Sequence, residues 1–210
     1  PDQPVITTFD PPISQEEQGL DLRGTGWNSY LKGADTDDTL WGLAGNDALY
    51  GFEGDDQLFG GSGADAIYGS VGHDILLAGS GSDTNWTDGT STQTQDTLIG
   101  GQGGDQLFGQ SGVDPLSGEQ GNDRLTGGGG RDTFVFSAGR DHLTYFSKQV
   151  DRLQIDYALW VGTKFTAQIV SAYATVSGQD VVFDFGGGNV LVLEDTTSTA
   201  GLSNLIYIVE

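Results

Sequence analysis

Aspartate recurs through the middle of this chain at an interval of nine residues, and the series is interrupted only once. Its members are Asp38, Asp47, Asp56, Asp65, Asp74, Asp83, Asp96, Asp105, Asp114, Asp123 and Asp132. Carboxylate oxygens are ligands of hard divalent cations, and the short Asp side chain fits tight turns. The spacing therefore predicts a regular array of carboxylates that binds cations.

Each aspartate lies between a glycine-rich turn and a short apolar segment. Within a nine-residue unit, Gly is common at positions one, two and four, and Asp occupies position six. The apolar residues at position eight are Leu40, Leu49, Leu58, Ile67, Leu76, Leu98, Leu107, Leu116, Leu125 and Phe134. We expect a six-residue turn, in which Gly allows positive φ, followed by a three-residue strand with position eight facing inward. Two units then form one coil, so that aspartates two units apart stack directly.

Stacked aspartates repel each other. Neighbouring coils lie about 4.8 Å apart, and at an effective dielectric constant of about 20 each pair of charges costs roughly 3 kcal/mol. The array therefore predicts a chain that is unfolded without cations and ordered with them. Ca²⁺ suits it best, because Ca²⁺ takes about 6–8 oxygen ligands and combines carbonyls with carboxylates, whereas Mg²⁺ retains its waters.

The composition agrees with cation binding. Of the 30 acidic residues 24 are Asp, whereas Lys and Arg together number 8, and the formal net charge is −22. This charge argues against binding to nucleic acid or anionic membranes. The chain has no Cys for disulfides or thiolate metal sites, and no apolar run approaches the ~20 residues of a membrane span.

The chain divides into three regions of different character. Residues 1–23 form an acidic lead-in that contains a strand-like segment at Val5–Phe9, residues 24–135 form the repeat array, and residues 136–210 lose the period. Neither a signal peptide nor Met is present. We therefore expect a piece of a longer protein and, if it is exported, an export signal elsewhere, for instance at the C-terminus.

Two local departures from the pattern carry structural predictions. The residues Thr87–Thr90 are inserted after a unit in which Asn85 replaces the aliphatic residue, so we expect a bulge or loop around 84–95. In the last region, Asp180–Phe185 and Val190–Glu194 alternate like strands around a glycine-rich turn, which predicts a hairpin.

The repeat resembles the RTX family, the calcium-binding nonapeptide repeats of proteins exported by type I secretion systems. Units 60–68 (GGSGADAIY) and 100–108 (GGQGGDQLF) match its pattern G-G-x-G-x-D-x-U-x in full. The resemblance implies an all-β protein with a right-handed parallel β-roll and a β-rich C-terminal capping and secretion region. It also implies several bound Ca²⁺ ions, type I secretion machinery as a partner, and a secreted location; we expect a monomer.

The segment after the array resembles the family's post-repeat region. Asp141, Phe146, Asp151 and Ile155 lie at matching places, whereas Tyr145 replaces the usual second Asp before that Phe. The resemblance therefore extends beyond the repeats themselves.

By this resemblance, each calcium ion takes the aspartates of two units that lie two apart, together with turn carbonyls at positions one and three of one unit and two and four of the other. The implied pairs are Asp47 with Asp65, Asp56 with Asp74, Asp65 with Asp83, Asp105 with Asp123, and Asp114 with Asp132. Asp38 with Asp56 is a weaker pair because Thr36 replaces a glycine, and Asp96 is weaker still because its turn has none. The carbonyl ligands implied are Gly42, Ala44, Gly51, Glu53, Gly54, Gly60, Gly61, Ser62, Gly63, Ser70, Gly72, Gly79, Gly81, Gly100, Gln102, Gly109, Ser111, Gly112, Glu119, Gly121, Gly128 and Gly130.

The function predicted is a non-enzymatic, calcium-folding module of a larger exported protein, since the zinc motif HExxH and the nucleophile motif GxSxG are both absent. A polysaccharide-binding accessory module, similar to the R-modules of alginate epimerases, is an alternative that would use Arg124, Arg131, Arg140 and Lys148. An adhesin or surface-assembly domain is another. It would use the position-nine residues that form two outer stripes, namely Trp41, Phe59 and Leu77, and Tyr50, Tyr68 and Trp86. If they do not bind a partner, we expect these stripes to be covered by the tail (residues 136–210) or by the lead-in.

Overall fold

The computed structural model of the chain describes residues 5–7, 19–87, 95–159 and 166–209. The first strands are β1 (Val5–Thr7), β2 (Asp21–Arg23), β3 (Ser29–Lys32), β4 (Thr39–Ala44), β5 (Ala48–Glu53), β6 (Gln57–Ser62), β7 (Ala66–Val71), β8 (Ile75–Gly81), β9 (Thr84–Trp86), β10 (Thr97–Gly103) and β11 (Gln106–Phe108). The later strands are β12 (Ser111–Gly112), β13 (Pro115–Gly121), β14 (Arg124–Thr126), β15 (Gly129–Gly130), β16 (Thr133–Phe136), β17 (Arg140–Thr144), β18 (Arg152–Asp156), β19 (Ala174–Ser177), β20 (Asp180–Gly186), β21 (Asn189–Leu193) and β22 (Ile206–Val209). The helix α1 spans Thr166–Tyr173, and 3₁₀ turns span Tyr157–Leu159 and Leu202–Asn204.

Successive strands of the array alternate between two parallel sheets. One sheet has the order β1-β3-β5-β7-β9-β11-β14-β17-β21-β20-β19, and the other has the order β2-β4-β6-β8-β10-β13-β16-β18-β22. A small third sheet pairs β12 with β15. All described pairings are parallel except those of β20 with β19 and β21. The chain therefore forms an all-β parallel β-roll, as the repeat predicts.

The interior of the roll is a single file of apolar side chains from position eight of each unit. Leu40, Leu58 and Leu76 enter it from one sheet, and Leu49 and Ile67 enter from the other. All five are fully buried, because strand alternation turns every position eight toward the space between the sheets. Burial of such side chains is the main apolar driving force for stacking the coils.

The aromatic residues at position nine lie on the outer faces and stack on one another. The Trp41 and Phe59 rings are 4.0 Å apart and nearly parallel, and Tyr50–Tyr68 and Tyr68–Trp86 are parallel at 4.6 and 4.8 Å between centroids. These rings are half-buried. Each inner ring therefore has its faces covered by the neighbouring rings, and only its edge is left for solvent or for the cover predicted from residues 136–210 or the lead-in.

The last region closes the C-terminal end of the core. The apolar cluster that begins at Leu98 continues through β16–β18 and includes Ile169 of α1, Phe183 of β20 and Leu202. The predicted hairpin is confirmed as β20 and β21, whose turn contains three glycines with positive φ. Both sheets run past residue 135, since β17 and β18 pair with β14 and β16.

The loop predicted around 84–95 is wrong over its first residues. Thr84, Asn85 and Trp86 form β9 and pair in register with β7 and β11, because the backbone of this unit keeps the ladder hydrogen bonds despite the polar residue. The rest of that prediction, and most of the lead-in, lie outside the described residues.

Candidate metal sites

The aspartates of the array form two columns, one at each turn of the roll. In both columns the backbone N–H of one Asp donates to Oδ1 of the Asp in the next coil. One column is Asp38, Asp56, Asp74, Asp96, Asp114, Asp132 and Asp151, with N···Oδ1 distances from 2.8 to 3.1 Å. The other is Asp47, Asp65, Asp83, Asp105, Asp123 and Asp141, at 2.7 to 3.1 Å, and the Ser29 N–H donates to its first member at 2.6 Å.

Both columns cross the four-residue insertion without interruption. The Asp74 N–H donates to Asp96 Oδ1 at 2.8 Å and the Asp83 N–H donates to Asp105 Oδ1 at 2.9 Å, although each pair is 22 residues apart in sequence. The coil after the insertion is in register with the coil before it, since β10 pairs with β8 and β11 pairs with β9. The sequence-based pairs omitted these two, because a fixed period cannot show where a chain returns after an insertion.

In eight members of the columns, the second carboxylate oxygen is buried and has no hydrogen-bond partner among the described residues. Oδ2 makes no hydrogen bond within the described ranges in Asp47, Asp56, Asp65, Asp83, Asp105, Asp114, Asp123 and Asp132. An isolated buried carboxylate oxygen is energetically costly unless a proton or a cation accompanies it. A buried carboxylate oxygen of this kind recurs at most turns of the array, which indicates that these turns accommodate a proton or a cation.

Turn carbonyl oxygens lie near the buried Oδ2 atoms. The turn that begins at Gly60 is an example, together with Ala78, which occupies the same position in the next coil. Asp65 Oδ2 and the Ala78 carbonyl oxygen each lie 2.5 Å from the point that a Cβ on Gly60 would occupy. These two oxygens are thus within about 5 Å of each other, a separation that one Ca²⁺ with ligands at about 2.3–2.6 Å can bridge. The Gly61 and Gly63 carbonyls also point toward the next coil, since they would collide with a Cβ on Gly79 and on Gly81 respectively.

The turn glycines serve two different purposes. Gly at positions two and four has φ in the left-handed region, as at Gly61 (111°) and Gly63 (131°), and Leu43 and Phe52 adopt the same region at position two. Gly60 at position one has no such φ; it is required instead because a Cβ would fill the space beside Asp65 Oδ2. Positive φ therefore explains positions two and four, but not position one as the sequence suggested.

Burial raises the pKa of several column carboxyl groups above the usual value of 3.8. The pKa of Asp56 rises to about 8, and those of Asp83 and Asp114 rise to about 7. Desolvation is the largest cause, the backbone N–H donated from the neighbouring coil lowers the pKa, and the carboxyl groups above and below raise it. Without a cation, the folded roll therefore favours neutral carboxyl groups.

The donor set fits a hard divalent cation. Across the part of the chain that the structure describes, no point is surrounded by three or more acidic or histidine side chains. An ion between two coils would therefore combine one or two carboxylates with backbone carbonyls, an all-oxygen set of the kind that Ca²⁺ accepts. The chain has no Cys, and the imidazole Nδ1 of His73, which lies in one of these turns, accepts the Gln95 N–H at 2.8 Å on an exposed side.

The predicted edge residues also belong to the columns. Asp38 donates its N–H to Asp56 Oδ1 at 2.8 Å despite Thr36, and Asp96 donates to Asp114 Oδ1 at 2.9 Å although its turn lacks glycine. The predicted ligand set leaves out Asp141 and Asp151, which form the last step of each column. The 18-residue spacing from Asp123 identifies Asp141, whereas Asp151 lies 19 residues after Asp132 and escapes a strict period.

Gly60→Ala is expected to destabilise the roll, because its Cβ would lie 2.5 Å from both Asp65 Oδ2 and the Ala78 carbonyl oxygen. Overpacking of this kind costs about 1–3 kcal/mol, which thermal unfolding in excess calcium measures. Gly26→Ala is the matched control, since a Cβ at Gly26 meets no atom within 4 Å. Equal melting temperatures for the two variants would contradict the crowding assigned to position one.

Comparisons with known proteins follow this geometry. The family description that matches the chain is the RTX calcium-binding nonapeptide repeat (four copies), over residues 23–51, 32–67, 50–84, 92–114 and 108–143. Curated protein sequences give no match. Within the described residues, no helix is long and apolar enough to cross a membrane.

Two solved structures are similar to the chain. The AlgE6R3 subunit of the Azotobacter vinelandii mannuronan C5-epimerase is 24% identical, with 65% of this chain and 80% of that chain covered and a TM-score of 0.43. The extracellular lipase LipA from Serratia marcescens is 19% identical, with 93% of this chain covered and a TM-score of 0.37. The chain spans 41% of the length of that lipase.

Proposed function

The chain belongs to the RTX calcium-binding nonapeptide repeat family, and we propose that it is a calcium-dependent folding module of a larger exported protein. The observation that carries this proposal is the pair of continuous aspartate columns, in which Oδ2 of eight members, Asp56 and Asp114 among them, is buried without a hydrogen-bond partner in the described residues. Each column adds unfavourable charge to the folded state when cations are absent. A Ca²⁺ ion bound to the folded state makes the contribution of these charges to folding favourable, so calcium controls whether the roll forms.

Several Ca²⁺ ions would together stabilise the folded roll. An ion present at ten times its dissociation constant contributes about 1.4 kcal/mol. A few sites together therefore approach the net stability of a whole domain, about 5–15 kcal/mol. The proposed ligands are the column aspartates and the turn carbonyls between coils, with Asp141 and Asp151 added to the predicted set.

This dependence suits export in an unfolded state. In a calcium-poor cytosol the chain would remain extended and pass through type I secretion machinery, and it would fold at the higher calcium concentration outside the cell. Residues 24–135, together with the following coil that contains Asp141 and Asp151, would supply the calcium-binding roll, and the rest of residues 136–210 the capping and secretion region. The module itself would carry out no catalysis.

Polysaccharide binding is the alternative, and the described side chains give it less support. Arg124, one of the basic residues assigned to a polyanion, forms a bidentate ion pair with Glu194 at 2.9 Å. Glu194 also contacts His142 Nδ1 at 3.0 Å, so this group links the roll to the tail. The stacked Tyr50 and Tyr68 rings offer edges rather than free faces to a sugar or to a second copy of the chain.

A calcium titration followed by far-UV circular dichroism tests the proposal. We expect a cooperative transition from coil to β structure with Ca²⁺, and no comparable transition with Mg²⁺, because Mg²⁺ requires stricter octahedral geometry and retains its waters. The magnesium series at equal ionic strength is the control for charge screening. Full β structure in excess chelator at neutral pH would overturn the proposed calcium control.

A further inference from the structure

The core of the roll contains one polar side chain at position eight. Asn85 in β9 lies in register between Ile67 of β7 and Leu107 of β11, and all three are fully buried. In every other unit of the array, an aliphatic or aromatic residue occupies this position. The amide therefore interrupts the file of apolar side chains near its middle.

Neither end of the Asn85 amide is satisfied. Its Oδ1 and Nδ2 atoms are buried and have no hydrogen-bond partner among the described residues. A buried polar group without a partner opposes folding, and it also replaces the apolar contacts that a leucine would make with the coils above and below. We therefore expect the packing between coils to be weaker at Asn85 than at any other unit of the array.

The apolar core divides at the same level. One cluster of buried side chains runs from Leu31 to Ala78, and a second runs from Leu98 to Ile206. The backbone remains continuous there, because β10 pairs with β8 and β11 pairs with β9. Hydrogen bonds, the aspartate columns and the outer stack of Trp86 on Phe108 thus join the two halves, whereas the two clusters of buried apolar side chains remain separate.

We propose that the roll consists of two cooperative units that meet at Asn85, an N-terminal unit over residues 19–86 and a C-terminal unit over residues 95–209. The stability of a stacked repeat protein is approximately the sum of its units and of the interfaces between neighbours, so one weak interface separates it into blocks. The N-terminal unit opens first. Its cluster is a single file of side chains, whereas the C-terminal cluster also includes residues of the tail such as Ile169 and Phe183.

Native-state hydrogen exchange on the full chain tests this inference. We expect the slowest amides of β4–β8 to exchange as one group, at least about tenfold faster than those of β10, β13 and β16. A single level of protection across both groups would overturn the proposal. The measurement needs only the folded chain in excess calcium, so its outcome is separate from the question of whether calcium controls folding.

The variant Asn85→Leu tests the cause. It should reduce the difference in exchange between the two groups by about tenfold, because it removes the unpartnered amide and joins the two clusters. Asn85→Ala is the matched control, since it removes the amide but fills no space between Ile67 and Leu107. An unchanged difference in Asn85→Leu would overturn the role of Asn85, and if that variant does not fold, the exchange of the unmodified chain decides the proposal.

Discussion

In calcium-free buffer, lowering the pH from about 8.5 to about 5 is expected to restore β structure to a chain that is largely unfolded at the higher pH. The folded pKa values of Asp56 and Asp114 are about 8 and about 7, whereas an unfolded aspartate titrates near 3.9. The folded state therefore binds more protons than the unfolded state between about pH 4 and pH 8. The resulting stability is fully present below about pH 4 and is lost as the pH rises through about 6 to 8.

Far-UV circular dichroism and urea unfolding at a series of pH values measure this effect. A pH of about 5 is preferable to a lower one, because the chain has a pI of about 4.1 and loses its solubilising charge there. The control is the same series in excess calcium, where the slope should reverse, since Ca²⁺ binds ionised carboxylates and acid displaces it. If acid unfolds the calcium-free chain as well, the buried carboxylates are not the source of its instability.

Asp56→Asn is expected to have opposite effects with and without calcium. In chelator at about pH 8 it should stabilise the folded state by a few kcal/mol, because it removes one buried charge whose pKa is raised to about 8. The asparagine Oδ1 can still accept the Asp38 N–H, which now donates to Asp56 Oδ1 at 2.8 Å. With calcium, the variant should bind at least one ion less tightly, by about tenfold or more, because it loses a charged ligand.

Asp55→Asn is the matched control, one residue away. Asp55 is exposed, and its Oδ1 accepts the His73 N–H at 2.9 Å on the outer side of the turn. It removes the same charge and keeps the acceptor, but it lies outside the column. Calcium titrations by calorimetry, and the β content measured by far-UV circular dichroism in chelator, should leave Asp55→Asn near the unmodified chain. A similar response of the two variants would mean that net charge, rather than the buried column, governs calcium binding.

The repeat allowed the architecture to be predicted from the sequence. Period nine with an inward residue at position eight predicted two sheets and their core, because alternation along a strand leaves one possible facing for Leu40, Leu49 and their successors. The hairpin of β20 and β21 could be predicted for a similar local reason, since a glycine-rich turn separates two segments with strand-like alternation. The strand β9 was not, because a polar residue in an inward position argues against a strand when only propensity is considered.

Most column pairs were predicted where the period holds, although Asp141 was left out despite its regular spacing, and the pairs were missed where the period changes. Asp83 and Asp105 are neighbours across an insertion, and Asp151 continues a column 19 residues after Asp132. Hydrogen bonding between coils decides such pairs, and the length of the connecting segment does not. The need for Gly60 at position one is a similar case, since it depends on an oxygen of the next coil.

The sequence by itself determined that this protein is a cation-binding β-roll, because a carboxylate, a glycine turn and an inward apolar residue recur together and each unit can satisfy the others only by stacking. The tertiary structure alone decided which carboxylates meet across the insertion, that Oδ2 of members such as Asp56 and Asp114 is buried without a partner in the described residues, and that Asn85 interrupts the core. These features depend on the register between coils that lie 18 to 22 residues apart in sequence. Register is set by packing and hydrogen bonds across the whole roll, so a nine-residue pattern does not contain it.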